Sequence, residues 1–410
     1  MLDRTKKRRV LIMVENLSMP FDRRPWREAL ALREAGYEVS AISPKGDDRD
    51  TISREMIDGV SIYRYKHYES TGGAASYFIE YGNAMLKMFL LSLVVFLREG
   101  FDIIHLCNPP DTLILVALPY KLLGRKVIYD QHDLAPDIYI MHKDGAEGGV
   151  MLKVLYFFER LTYRLCDVVV TINESYRRVA LERGHVPDAK VFVVRNGPER
   201  ASFEGVEPNP ALRRGKEHLL CYVGMMGPQD GVDIMLRAVA HLAHEVGRDD
   251  FHVHIIGDGT EFEALKTYAT ELGVADRCTF AGRVSHAEVM EGVASADVCI
   301  CPDPKTPLND KANLVKALEY MSLGKPFVTF DLAEVRYSAA DAALYATPGD
   351  EHDFADKLNR LLDTPELREK IGAIGRQRVL DGLSWERSKE NLWAAYAQAS
   401  EEPRRHEQQE

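Results

Sequence analysis

Cysteine is scarce in this chain and unpatterned where it occurs. Six residues in 410, at positions 107, 166, 221, 278, 299 and 301, show neither the spacing of a metal site nor a paired framework. They read as small apolar fillers of a reducing compartment, which excludes a disulfide scaffold. Long apolar runs are also missing. The most apolar window, residues 84–97 (Ala-Met-Leu-Lys-Met-Phe-Leu-Leu-Ser-Leu-Val-Val-Phe-Leu), falls short of the ~20 residues that a bilayer crossing needs. It is expected to pack on a sheet or, if part of it is exposed, to help the protein sit on a membrane. The basic start Lys6-Lys7-Arg8-Arg9 precedes only the short apolar run 10–14, a first strand and not a signal peptide.

An excess of positive charge is absent too. The formal net charge is -11, which argues against a nucleic-acid partner. It is unevenly spread, roughly +2 over residues 1–200 and roughly -13 over the rest. The milder front half is compatible with an anionic membrane surface or a lipid diphosphate. There is no Gly-x-Ser-x-Gly elbow, no His-Glu-x-x-His zinc motif and no phosphate loop ending in Gly-Lys-Ser/Thr. Nothing demands a glycosidase carboxylate pair. Gly257-Asp258-Gly259 fails as a dinucleotide fingerprint, because Phe262 stands at the third glycine position.

What is present is alternation. Strand candidates at 9–14, 37–42, 60–65, 102–106, 126–130, 167–172 and 190–194 are separated for the most part by helical segments. Pro25 suits the first position of a helix over 25–35, which Gly36 ends. A stretch rich in Pro, Gly and charge follows, with a linker expected at 201–216. The alternation then resumes, with strands at 219–223, 251–256 and 277–280 and helices at 232–246 and 261–272. This pattern predicts an α/β chain of two Rossmann-like domains, 1–200 and 217–383, each with a parallel sheet. A final helix is expected at 384–399 and a disordered polar tail at 400–410.

The stretch 297–331 organises the second half. It reads as a strand over 298–301, a loop, a helix over 312–323 closed by Gly324, and a strand that Pro326 starts. A helix starting at the carboxyl end of a parallel strand offers unpaired N–H groups to an anion, and phosphate suits it. Lys316 lies in the first turns and Glu319 one turn on, so a cation for a diphosphate and a carboxylate for ribose hydroxyls share a face. A solvated Lys–Glu pair on a surface helix is the competing reading.

This stretch resembles the donor-site helix of retaining glycosyltransferases of family 4, whose fold, GT-B, has two Rossmann-like domains facing across a cleft. Glu319 with the tail Tyr-Met-Ser-Leu-Gly-Lys-Pro matches the second glutamate of the family's motif and the turn after it, while Lys311 stands where the first glutamate belongs. The resemblance runs over about residues 8–399 and includes Gly257-Asp258-Gly259, Ala281-Gly282-Arg283-Val284 and the Leu-Ser-Trp-Glu-Arg-Ser segment 383–388. It implies His132, in Asp130-Gln131-His132-Asp133, as the active-site histidine acting on the donor sugar. It implies donor contacts from Gly224, Arg283, Val284, Lys311, Asn313, Leu314, Val315, Lys316 and Glu319. His105 and Asn108 are candidates for the acceptor side. Relatives carry an arginine and a lysine where this chain has Met225 and Asp230, and Arg23 and Arg24 are candidates to restore phosphate-facing charge; surface pairs of both arginines with Asp22 and Glu28 are the competing reading.

The implied activity is transfer of a sugar from a nucleotide-diphosphate sugar to a lipid-linked or glycan acceptor, as in bacterial surface polysaccharides. No cofactor or metal is expected, no nucleic acid, and a cytoplasmic location with peripheral contact at the inner face of the plasma membrane. Two alternatives stay open: a nucleotide-sugar epimerase, and a binding or scaffold protein descended from a transferase, favoured by Lys311, Met225 and Asp230.

Overall fold

The computed structural model describes residues 7–46, 50–67, 74–141 and 148–400. The chain divides into two units, Met1–Val194 with Lys389–Glu410, and Arg195–Ser388. The first is built on eight strands: β1 (Arg9–Met13), β2 (Glu38–Pro44), β3 (Arg54–Ile57), β4 (Val60–Tyr65), β5 (Ile103–Cys107), β6 (Lys126–Gln131), β7 (Val168–Thr171) and β8 (Val191–Val193). They are ordered β3-β4-β2-β1-β5-β6-β7-β8. All neighbours pair in parallel except β3 with β4. That hairpin was not anticipated. It closes on Asp58 and Gly59, both at positive φ, a turn that Asp-Gly adopts readily.

The second unit holds β9 (His218–Val223), β10 (Phe251–Ile256), β11 (Cys278–Gly282), β12 (Val298–Cys301), β13 (Phe327–Phe330) and β14 (Ala343–Ala346), ordered β11-β10-β9-β12-β13-β14. All of its pairs are parallel. Both units are therefore Rossmann-like α/β layers. The short buried strands read as apolar runs because helices cover both faces of a parallel sheet.

Several boundaries differ from expectation. Helix α1 (Arg23–Glu34) starts two residues before Pro25, which the first turn tolerates because its N–H groups lack intrahelical partners anyway. The unit boundary falls at Val194/Arg195, and the expected linker belongs to the second unit. There Asn209 N–H donates to Ser295 Oγ at 2.7 Å, and Arg213 pairs with Asp297 at 2.6 Å. The donor-motif helix is shorter, Val315–Ser322, with Leu314 extended before it. Of the expected tail, all residues beyond Ser400 lie outside the described residues.

The apolar window lies in helix α2 (Ala74–Arg98), which connects β4 to β5. It is only partly packed on the sheet. Ala84, Met88 and Val95 are buried in the core, whereas Leu86, Leu90, Leu93, Val94 and Leu97 are exposed. Helix α3 (Ile114–Leu122) packs beside it.

The carboxy-terminal helix, Trp385–Ser400, passes from the second unit to the first at Lys389. Leu392, Ala395 and Tyr396 are fully buried, and Trp393 Nε1 donates to Ala31 O at 2.8 Å. The Tyr396 hydroxyl bonds His105 Nδ1 at 2.8 Å. Tyr396→Phe leaves that nitrogen without its partner, so a loss of about 1–3 kcal/mol is expected. It should appear as a lower urea midpoint with an unchanged slope. A parent-like midpoint would mean that the bond contributes nothing to stability.

Candidate active site

In the first unit the site is built at the carboxyl ends of β5 and β6, where open α/β sheets place function. Asp130, fully buried near the end of β6, accepts from Arg24 Nε at 3.3 Å and Nη2 at 2.7 Å. Its Oδ2 also takes a short hydrogen bond from His132 Nε2. His105 Nε2 lies 3.4 Å from both Asp130 Oδ2 and Glu28 Oε2. Arg24 further pairs with Glu28 at 3.1 Å and donates to Val194 O at 2.7 Å. Two cations of fixed position thus neutralise two buried carboxylates.

This network sets the charge on His132. Burial alone would favour a neutral ring, but the Asp130 carboxylate outweighs it and pushes the imidazole up to about 10. Burial likewise works against charge on Asp130, yet Arg24 and His132 hold it well below the usual carboxylate range. His132 is therefore an imidazolium at neutral pH, with its side chain 15% exposed.

Three expectations for this unit need correction. Arg24 does not face a phosphate: its guanidinium is buried and committed to Asp130 and Glu28. Arg23, its neighbour, is exposed and stays available. His105 and Asn108 are buried and do not line an acceptor surface. Asn108 instead holds the histidine loop. Its Oδ1 accepts from His132 N at 2.6 Å and Asp133 N at 3.0 Å, while its Nδ2 donates to Asp133 O at 2.8 Å.

In the second unit the strand ends of β9, β10 and β12 surround Lys316. Its Nζ donates to both carboxylate oxygens of Asp303, at 3.0 and 2.9 Å, and lies 4.9 Å from the centre of the Tyr222 ring. Burial opposes the charged ammonium, but Asp303 outweighs it and raises its pKa above the lysine range. The backbone here has to be bare. A Cβ on Gly257 (φ +137°) would fall 1.8 Å from Gly224 O, and one on Gly224 would lie 3.1 Å from Lys316 Nζ.

Leu314, at the N-cap of the Val315–Ser322 helix, gives the first turn no side-chain acceptor. Next to it, Asn313 Nδ2 is buried without a hydrogen-bond partner. Lys311 and Glu319 are half-buried, Val315 is exposed, and after β11 Arg283 is exposed and Val284 half-buried. Asp230 bends back on its own turn, accepting from Gly227 N at 2.9 Å. The structure thus joins Gly224 and Lys316 directly. The Arg24–Glu28 pair was the competing reading of the arginines, although it is buried and not at the surface; sequence reasoning missed Asp303, Tyr222 and Tyr396 as partners. Only Asp303 carried a signal, its place just beyond a buried strand.

Two outcomes test the first unit. Arg24→Ala leaves Asp130 and Glu28 buried without their cation and should cost about 3–5 kcal/mol. Arg23→Ala should stay within about 0.5 kcal/mol in the same urea titration. The His132 pKa, about 10 when folded against ~6.5 unfolded, makes its contribution fully present below the lower value and lost as pH rises through the upper. The stability advantage of the parent over His132→Gln should therefore be largest in acid and shrink toward pH ~10. An advantage that grows with pH would contradict the ion pair.

Comparison with known proteins places both halves. Residues 23–197 match the glycosyl transferase 4-like domain, and residues 206–378 match the glycosyl transferases group 1 domain. The chain is 24% identical over 376 residues to glycogen synthase of Mycobacterium tuberculosis, covering 87% of this chain and 85% of that one. Sucrose-phosphate synthase of Thermosynechococcus elongatus superposes with a TM-score of 0.75 at 18% identity, covering 96% and 99% of the two chains. Anabaena HepE, in complex with UDP and glucose, does so with a TM-score of 0.67 at 12% identity, covering 95% and 99%. The chain belongs to the group 1 glycosyltransferases, with a 4-like amino-terminal domain and the two Rossmann-like domains of the GT-B fold.

Proposed function

We propose that the enzyme transfers a sugar, with retention of anomeric configuration, from a nucleoside diphosphate sugar to a lipid-linked or polysaccharide acceptor in cell-surface glycan biosynthesis. One observation carries the donor assignment. The Lys316 ammonium stands beside the bare backbone of Gly224, on a helix whose first turn is uncapped and which follows Asn313, whose buried Nδ2 lacks a partner. Together they offer hydrogen-bond donors to a diphosphate with no side chain in the way. The likeness to a protein captured with UDP and glucose supports the same class of donor.

In this reading the bond between the anomeric carbon and the phosphate oxygen breaks while the acceptor oxygen bonds on the same face. The acceptor proton passes to the departing phosphate oxygen, so no separate base is required. Lys316 meets the charge that develops on the diphosphate, and Asp303 keeps the ammonium in place beforehand. Glu319 takes the ribose hydroxyls. His132 acts on the sugar as a hydrogen-bond donor, since a cationic ring cannot itself steady positive charge at the anomeric carbon; that falls to its backbone carbonyl. No metal is invoked, and the work is assigned to the cytoplasmic face of the membrane.

The test is calorimetric titration with uridine, guanosine and adenosine diphosphates. The preferred one should bind Lys316→Ala at least about tenfold more weakly, roughly 1.4 kcal/mol. Glu319→Gln should weaken it too, with the fold intact. Parent-like affinity in both variants would move the donor elsewhere. Donor binding without turnover across a broad acceptor panel would instead favour a binding protein, the reading that Met225 and Lys311 keep alive.

A further inference from the structure

We propose that the outer face of α2, with the basic cavity at its carboxyl end, docks the protein on an anionic lipid bilayer, one lipid phosphate entering the cavity. The inference deepens the lipid-linked-acceptor reading and takes its biological purpose from it. Leu86, Leu90, Leu93, Val94 and Leu97 recur at every third or fourth position, so they fall on one stripe of the helix. Leu86 is 58% exposed, Leu90 52% and Leu97 83%. In a helix that meets only water this stripe would be polar. An apolar patch of this kind marks a contact surface, and α3, packed beside α2, ends in two more exposed leucines, Leu122 and, just past its end, Leu123.

Residues 80–98 form a stretch long and apolar enough to cross a membrane, yet Met88 and Val95 sit in the core and both ends of α2 lead into strands of one sheet. The helix can lie on a bilayer but not pass through it.

The last turn says which surface it meets. Arg98 follows Leu97 and lines a cavity of about 500 Å³ with Lys7, Arg9, Arg33 and Arg54. The acids there, Glu38 and Glu99, are paired with Arg9 at 3.3 Å and Arg54 at 3.2 Å. Arg33 and Arg98 make no ion pair among the described residues. Arginine forks suit a phosphate, and cations beside an apolar stripe fit an anionic leaflet better than a neutral protein partner.

Co-sedimentation should be measured with vesicles of phosphatidylcholine alone and of equimolar phosphatidylcholine and phosphatidylglycerol. The parent should prefer the mixed vesicles and release them at high salt. Leu90→Glu with Leu93→Glu should lower that binding at least about tenfold. Arg33→Ala with Arg98→Ala should lower it about fivefold per residue, on mixed vesicles only. Nucleotide affinity, measured alongside, should not change in any variant. Equal binding of parent and the Glu variant, no binding at all, or equal affinity for both vesicle types would overturn the proposal. So would a parent dimer on gel filtration that the Glu variant splits, since the stripe would then be covered by a second copy. Loss of donor binding in the parent with docking intact would remove the transferase reading alone, and the converse would remove docking alone.

Discussion

The Asp130 carboxylate is the constraint on which the first unit turns. A carboxylate without water is tolerable only when cations and hydrogen bonds surround it. Arg24 from α1 and His132 from the loop after β6 do so, with His105 from β5 close by. Glu28 adds a second buried negative charge, and Tyr396 of the carboxy-terminal helix closes the group through His105. One charged cluster therefore fastens a helix, two strand ends and the end of the chain. It also leaves the histidine cationic, with its Nε2 committed to Asp130.

The second unit repeats the logic with fewer parts. Lys316 and Asp303 neutralise each other just beyond a buried strand, and Tyr222 supplies the wall against which the ammonium rests. Here the constraint is space as well as charge. A side chain on Gly257 would run into the Gly224 carbonyl, and one on Gly224 would meet the Tyr222 hydroxyl and Lys316 Nζ. A bare backbone, a held cation and a helix start without a side-chain cap suit a polyanionic ligand.

The sequence by itself determined the architecture. Buried parallel strands are short runs of Val, Ile, Leu and Cys, and their alternation with helical periodicity identifies two Rossmann-like layers. The edge strand β3, Arg-Glu-Met-Ile, carried no such signal, because an exposed edge needs no apolar run and its hairpin depends on a two-residue turn. The Val315–Ser322 helix was legible from Gly324, Lys316 and Glu319, since caps and one-turn spacing are local. Only the tertiary structure separated Arg23 from Arg24. Adjacent helical residues point about 100° apart, and which of them meets Asp130, 106 positions away, is decided by how α1 lies on the sheet. The same holds for the Lys316–Asp303 pair, for His105 with Tyr396, and for the outer stripe of α2. The apolar residues of that helix were plain in the chain, but which of them face the core depends on the sheet beneath.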